Sequence, residues 1–356
     1  MKYLIKLTPL EPYAFGTEQG FEYPDESGLG KNSYFVTSGL MPEQTTIWGM
    51  LRFWLLSNEG LLHSDFCYTP EEQKKIDLLI GTESFNFQAK ETQCFGKLVS
   101  ISPLFLLNNK NEILIKNPFC NKSQDKYSPI KMSDSQVATS EGVIRLPEKD
   151  EYNAKYGYAE GFINLKTMKV ENDLFEVHLI SGNRKNNKND SDEDCYFKRE
   201  VVTFKNDKKD YAFAAYLEVA DDLAIPESEI VYMGHKQSAF RLEAFKAEHD
   251  EELSVQVEKA FDGVSTEPWQ CALSDLYVSE GSFDLDTFSI IEEKYLRNLE
   301  TKYSESGQLK KIRKSNVRYS LVRSGSVFFE HCPLNLENEQ VKRLGYNQVV
   351  QLGGHK

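Results

Sequence analysis

The sequence predicts an α+β protein built from a repeated unit, on three observations. Strand-like and helix-like runs occur in both halves of the chain, which points to a duplicated α+β unit. At 356 residues the chain exceeds one typical domain, so two packed domains are expected. Hydrophobic residues make up 40% of it and aromatics 12%, enough for a sizeable core. The composition changes near residue 171, which divides the chain into residues 1–170 and 171–356.

Residues 2–8 place Tyr3, Ile5 and Leu7 on one side, a period-two pattern that predicts a first strand. Pro9, Pro12, Gly16 and Gly20 then break regular structure, so residues 9–32 read as a loop-rich segment with Tyr13, Phe15, Phe21 and Tyr23 in it. After Met41 the period changes. Ile47, Met50, Leu51, Trp54 and Leu55 recur at helical spacing, and Thr45 or Thr46 can cap that helix. Gly49 costs stability inside a helix, which implies a close packing partner or a ligand. A second helix is predicted over 70–80, with Pro70 in its first turn and Glu71 and Glu72 suited to the helix dipole.

Residues 95–107 and 112–116 read as a hairpin around Asn108, Asn109, Lys110 and Asn111. Residues 117–160 are polar and turn-rich, and read as a long insertion. Strands follow at 174–180, 195–204 and 211–219; the polar run 181–194 between the first two reads as a mobile loop. Residues 231–245 form a turn between strands, with Gly234 and Ser238 freeing the backbone. Residues 248–262 are acidic, and a helix is expected over 288–299. Residues 324–330 read as a short strand, and 342–354 as a loop with glycines at both ends and a Val-Val pair between.

Charge restricts function. The formal net charge is −13, a poor prior for a nucleic-acid binder, because phosphate contact relies on Lys and Arg. Between Glu305 and Glu330, however, there is no acidic residue, while Lys310, Lys311, Arg313, Lys314, Arg318 and Arg323 all fall there. Such a stripe fits a protein that touches one polyanion through one face; a solvated charged loop is the other reading. Lys342 and Arg343 enter the terminal loop, His355 and Lys356 leave it, and its glycines let backbone N–H groups approach phosphate. A terminal β-turn with incidental basic neighbours is the alternative.

The six cysteines are scattered, with no C-x-x-C and no His pair at metal spacing, which argues against a zinc site and against a disulfide scaffold. The six histidines form no catalytic constellation in sequence, so neither a metal nor a catalytic residue is expected. Met1 to Leu7 has no long apolar h-region and nothing else reads as a membrane span, so a cytoplasmic protein without membrane contact is expected.

Five motifs in order carry a resemblance. They are Leu7-Thr8-Pro9-Leu10-Glu11-Pro12-Tyr13-Ala14-Phe15-Gly16; Pro42-Glu43-Gln44-Thr45-Thr46-Ile47-Trp48-Gly49-Met50-Leu51-Arg52; and His178-Leu179-Ile180 with Tyr196-Phe197-Lys198-Arg199-Glu200. Then come Met233-Gly234-His235-Lys236-Gln237-Ser238-Ala239-Phe240, and Ser324-Gly325-Ser326-Val327-Phe328-Phe329 with the final Gly353-Gly354. Together they resemble the RAMP superfamily, and most of all the third subunit of the Cmr (type III-B) CRISPR effector complex.

The resemblance implies two ferredoxin-like, RRM-related RAMP domains packed together, with loop insertions. It implies a non-catalytic, cofactor-free subunit that holds the 5′ handle of the CRISPR RNA. Such a subunit docks beside the large palm-domain Cmr subunit and the Cmr backbone subunit, and meets target RNA indirectly. The residues it carries over as RNA contacts are Arg52, Gly234, His235, Lys236, Lys342, Arg343, Gly345, Gly353 and Gly354. Gln44, Thr45, Thr46 and Trp48 join them, although Trp48 can instead fill core. His235 stands where the family often has a second glycine. The handle-binding subunit of a Csm (type III-A) complex, an RNA-processing RAMP endoribonuclease and a protein scaffold without RNA affinity are the rival readings.

Overall fold

The structure is a computed structural model. It describes residues 1–23, 33–63, 67–82, 85–89, 92–140, 142–158, 160–183, 196–248, 250–278, 286–303, 309–314 and 316–354. In chain order its elements begin with β1 (Lys2–Pro9), β2 (Phe15–Tyr23), β3 (Ser33–Gly39), α1 (Gln44–Asn58) and α2 (Pro70–Ile80). There follow β4 (Leu98–Ile101), β5 (Phe105–Leu107), β6 (Ile113–Lys116), β7 (Met132–Ala138), β8 (Val143–Pro147), β9 (Phe162–Asn164) and β10 (Val170–Glu171). Next are β11 (Phe175–Asn183), β12 (Tyr196–Phe204), β13 (Ala212–Val219), β14 (Ser228–Met233), β15 (Ser238–Lys246) and α3 (Leu253–Phe261). The remainder holds β16 (Trp269–Ala272), β17 (Leu276–Tyr277), β18 (Ser289–Ile290), β19 (Glu293–Leu296), β20 (Leu299–Tyr303) and β21 (Leu309–Lys314). It closes with β22 (Tyr319–Val322), β23 (Val327–Phe329), α4 (Glu339–Arg343) and β24 (Val349–Leu352).

The largest sheet runs β10-β9-β6-β5-β13-β1-β15-β14, and β4 also pairs with β13. β1 is antiparallel to both neighbours, with Ile5 opposite Ala215 on one side and Ala244 on the other. The alternation read in residues 2–8 is a burial pattern: Tyr3, Ile5 and Leu7 are buried. They pack with Ile47, Trp48, Leu51 and Trp54 of α1 and with Ile76 and Leu79 of α2. Trp54 also donates its indole N–H to Glu229 of β14 at 2.8 Å. On the opposite face, Ala214 and Tyr216 of β13 and Phe105 of β5 share a second core with Leu253, Val257 and Phe261 of α3 and with Trp269. A smaller sheet, β18-β23-β16-β24, joins that core. The remaining sheets are β11-β12-β3-β2 and β17-β22-β19, with two-stranded hairpins β7-β8 and β20-β21.

Residue 170 lies in β10 of the largest sheet, and β13, β14 and β15 join the same sheet from beyond it. A division at 170/171 therefore does not separate two sheets.

Many expected elements stand where they were read: β1, α2, the β5–β6 and β14–β15 hairpins, β11, β12, β13 and β23. α2 has the Thr69–Glu72 capping box, with Pro70 at its start. Other expectations need correction. Residues 15–23 are strand, because the ladder with β3 accommodates Gly16 and Gly20 through a register shift between them. Glu43, not Thr45 or Thr46, occupies the N-cap of α1, without a side-chain capping bond. Gly49 is exposed, and a Cβ there would meet nothing within 4 Å, so close packing does not explain it.

Residues 117–130 are no excluded insertion, since Phe119, Cys120, Tyr127 and Ile130 are buried in the second core. The acidic stretch contains α3, whose Leu253, Val257 and Phe261 recur at helical spacing on the buried side. Residues 288–299 hold strands, because β18 and β19 pair with β23 and β22; tertiary pairing overrides local helix preference there. The terminal loop contains α4 and β24, and the Val-Val pair is half of a strand antiparallel to β16. Residues 184–195 of the polar run lie outside the described residues.

Leu7 is wholly buried between α1 and the sheet. Leu7→Ala is expected to destabilise the fold by about 2–5 kcal/mol, read as a lower urea midpoint at unchanged m-value. An unmoved midpoint would contradict the central position of β1.

Candidate nucleic-acid interface

The first group of sequence-selected residues gathers around the start of α1. Gln44 is buried, and its amide Nε2 donates to the carbonyls of Ser102 and Gly345, each at 2.9 Å. Gly345 has φ +88°, and a Cβ there would lie 1.9 Å from Gln44 Nε2, so only glycine fits. Trp48 is fully buried and tilted against Phe95 at 5.1 Å between centroids, so it fills core. Thr45 and Thr46 are half-buried in the first turn.

The Arg52 guanidinium lies 4.3 Å from the centroid of Phe85 and 5.9 Å from that of Phe95. Arg343 lies over the same Phe95 ring at 4.6 Å, donating Nε to Val99 O at 3.0 Å and Nη1 to Gln93 O at 3.2 Å. Two arginines far apart in sequence thus stack on one aromatic ring. Burial pushes Arg52 down to about 10 and lowers Arg343 as well, yet both remain cationic at neutral pH. Lys342 pairs with Glu339 at 2.9 Å.

Beneath the helix start, Lys294 of β19 bridges Glu43 at 2.6 Å and Asp275 at 2.5 Å. Burial opposes its charge, but Asp275 and then Glu43 outweigh burial and hold its pKa above the ordinary lysine value. This ion triad ties α1 to the C-terminal part of the chain.

A second group sits in the β14–β15 turn. Gly234 has φ +78° and a Cβ there would come within 2.6 Å of Ala14 O; the His235 amide donates to that same oxygen at 2.8 Å. Lys236 and Gln237 are both left-handed, at φ 59° and 56°, an uncommon conformation for side chains that lack special reason for it. His235 is held below its ordinary pKa, first by burial and then by Arg199 and Lys236, so it is neutral at pH 7. Arg199, on β12, was not selected as a site residue, although it lies in the third sequence motif. Its approach to His235 depends on folding, since the two are far apart in the chain.

These two groups lie at opposite ends of β1. The turn lies between Met233 and Ser238, just beyond the pairing of Pro9 with Phe240. Val99, which Arg343 holds, lies beside Ser100, opposite Glu218, and Glu218 faces Lys2. A strand of this length spans roughly 23 Å.

The third group is Gly353 and Gly354 at the end of β24. There a Cβ on Gly353 would come within 2.5 Å of Ser265 O, and the Gly354 amide donates to that oxygen at 3.1 Å. The Gly345 amide likewise donates to Lys342 O at 2.9 Å. Both amides are therefore engaged within the chain, and these glycines permit close packing. His355 and Lys356 lie outside the described residues. Of the basic stripe, Lys310, Lys311, Arg313 and Lys314 fall on β21, with Lys311 opposite Lys302 of β20. Arg318 lies 3.7 Å over the Tyr295 ring, and Arg323 pairs with Glu292 at 2.8 Å. Among the described residues no group of three or more His, Cys, Asp or Glu is placed to hold a metal ion, and no helix is long and apolar enough to cross a membrane.

No family model matches the sequence, and no curated protein matches it. Among solved structures, a chain in the cryo-EM structure of the type III-B Cmr-beta bound to cognate target RNA is similar at TM-score 0.50 and 15% identity, over 98% of this chain and 96% of that one. A chain of Cmr-beta bound to cognate target RNA and AMPPnP, in state 1, gives 0.48 and 14% over 98% and 96%. A chain of the Csm3-Csm4 subcomplex of the type III-A CRISPR-Cas interference complex gives 0.33 and 10% over 95% and 96%. The first likeness establishes a shared fold from end to end. This mixed α+β chain has a fold found in a type III CRISPR effector complex, as its RAMP-like motifs predict.

Gly345→Ala should cost about 1–3 kcal/mol, because it forces the Gln44 amide away from two buried carbonyls at a left-handed position. Lys342→Ala, in an exposed ion pair, should stay within about 0.5 kcal/mol of the parent. Thermal melts of the two variants check the contrast.

Proposed function

We propose that this chain is a non-catalytic, RNA-holding subunit of a type III-B (Cmr) CRISPR effector complex, working in the cytoplasm. In this reading it clamps the 5′ handle of the CRISPR RNA, docks beside the large palm-domain subunit and the backbone subunit, and meets target RNA through the assembly. The observation that carries the proposal is the end-to-end likeness to a chain of an RNA-bound Cmr-beta assembly. The five sequence motifs support it independently.

The proposal also takes the chain as two ferredoxin-like units. In β13-β1-β15-β14 the opening strand β1 lies between β13 and a hairpin; in β24-β16-β23-β18 the opening strand β16 lies between the closing strand and the β18–β23 pair. All these neighbours are antiparallel, as in that fold. The first unit departs in chain order, since β13 precedes its hairpin, and in helix placement, since α1 and α2 both fall between β1 and β13.

RNA ends are recognised as single strands, by phosphate contacts, stacking and base-edge hydrogen bonds. The turn of His235 and Lys236, with Arg199 of β12 beside it, suits the first and third of these. Lys342 and the basic strand β21 offer further phosphate contacts. Arg52 and Arg343, stacked on Phe95 and (for Arg343) bonded to carbonyls, contribute by shaping the region around α1, so their substitution tests folding as much as binding.

The test is to tag the chain, express it with its neighbouring genes, and sequence the small RNA that copurifies. RNAs sharing one repeat-derived 5′ handle are expected, depleted several-fold by Lys236→Glu with Lys342→Glu while the assembly stays intact. An assembly free of RNA would overturn the reading in favour of a protein scaffold, and handle ends generated by the purified chain itself would favour an endoribonuclease.

A further inference from the structure

The outward face of the β14–β15 hairpin is open. Val231, Met233, Phe240 and Leu242 are buried against the first core, so strand alternation turns Ile230, Tyr232, Arg241 and Phe245 to the other side. There Ile230 is 54% exposed, Tyr232 48% and Phe245 51%. Farther along the same sheet, that side of β13 and β5 lies under α3 and the β16 sheet. The cover stops short of the hairpin.

The ladder fixes the spacing. Tyr232 faces Ala239, and Ile230 faces Arg241. Phe245 lies four residues beyond Arg241, so the two aromatic levels are roughly 20 Å apart along the strand, with a guanidinium between them. Two carboxylates near this face are engaged: Glu243 pairs with Lys6 at 4.0 Å, and Glu11 accepts the Ala239 amide at 2.8 Å. Among the described residues Arg241 makes no ion pair. The tip of the same hairpin carries His235 and Lys236 beside Arg199, and their mutual repulsion is part of what lowers the His235 pKa.

The charge pattern decides the occupant. A purely apolar protein surface would match Ile230 and Phe245 but would leave Arg241 without a counter-charge. A chain of flat bases joined by phosphates matches all of them. We infer that the open face of the β14–β15 hairpin binds single-stranded RNA, with bases stacked on Tyr232 and Phe245, a phosphate on Arg241, and the strand entering over the turn. This rests on the RNA-holding reading above and extends it to a surface that the sequence motifs do not reach.

The test uses the full chain and a fluorescein-labelled oligouridylate of about ten nucleotides, followed by anisotropy over a salt series. Tyr232→Ala and Phe245→Ala are each expected to raise Kd about five- to 150-fold, while Tyr232→Phe binds like the parent. Arg241→Ala should reduce the slope of log Kd against log salt by about 0.7. Tyr232, Arg241 and Phe245 are all exposed, so melting temperatures should not move, which separates lost binding from lost fold. If the two alanine variants bind normally while Lys236→Glu weakens binding, the face is not an RNA platform, although the chain still holds RNA. If the parent chain binds no RNA, this inference and the reading beneath it both fail.

Discussion

The position of β1 constrains everything else. Its partners on either side, β13 and β15, lie far along the chain, and its two ladders bring them together. β13 then serves two cores at once: Phe213, Ala215 and Leu217 face the helices α1 and α2, while Ala214 and Tyr216 face α3 and the C-terminal sheet. The chain is therefore interleaved over the two faces of one sheet: Val341, Leu344 and Tyr346 join the core on the α1 side, while Phe119, Tyr127 and Ile130 join the core on the α3 side. This is why a Gln44 side chain near the start and a Gly345 carbonyl near the end can share a hydrogen bond.

Around that frame, arginine does two kinds of work. Arg52 and Arg343 have the residue type of phosphate ligands, yet their guanidinium groups lie over the Phe85 and Phe95 rings. A planar, weakly hydrated cation is suited to such stacking, and lysine would not replace it. In the proposed reading, phosphate contact falls instead to Lys236, Arg199 and Lys342. On a body of net charge −13, local cations set where any polyanion could approach.

The sequence made some of this legible for physical reasons. Alternation in residues 2–8 and the Pro70 capping signal are local patterns whose meaning does not depend on context, and both elements stand as read. The glycines misled where local meaning was assumed: Gly16 and Gly20 sit inside a strand, Gly49 faces open space, and Gly345 and Gly353 admit neighbouring chain. Residues 288–299 misled because two short strands there are defined by distant partners. Within the candidate site, Gln44, Trp48, Arg52, Arg343 and Gly345 came together as a group. The separation of that group from Gly234, His235 and Lys236 was invisible until the register of β1 placed them at opposite ends. The Arg199–His235 approach had no local signal.

The central strand also imposes an order in time. β1 leaves the ribosome well before its partners Ala212–Val219 and Ser238–Lys246. At ordinary translation rates of about 5–20 residues per second, it waits roughly 10–50 s for both ladders. During that interval an alternating apolar strand has two unpaired edges, a template for mispairing with any nascent neighbour. The vulnerable state of this protein is thus its unfinished chain, and its yield in a cell should depend on how quickly residue 246 emerges.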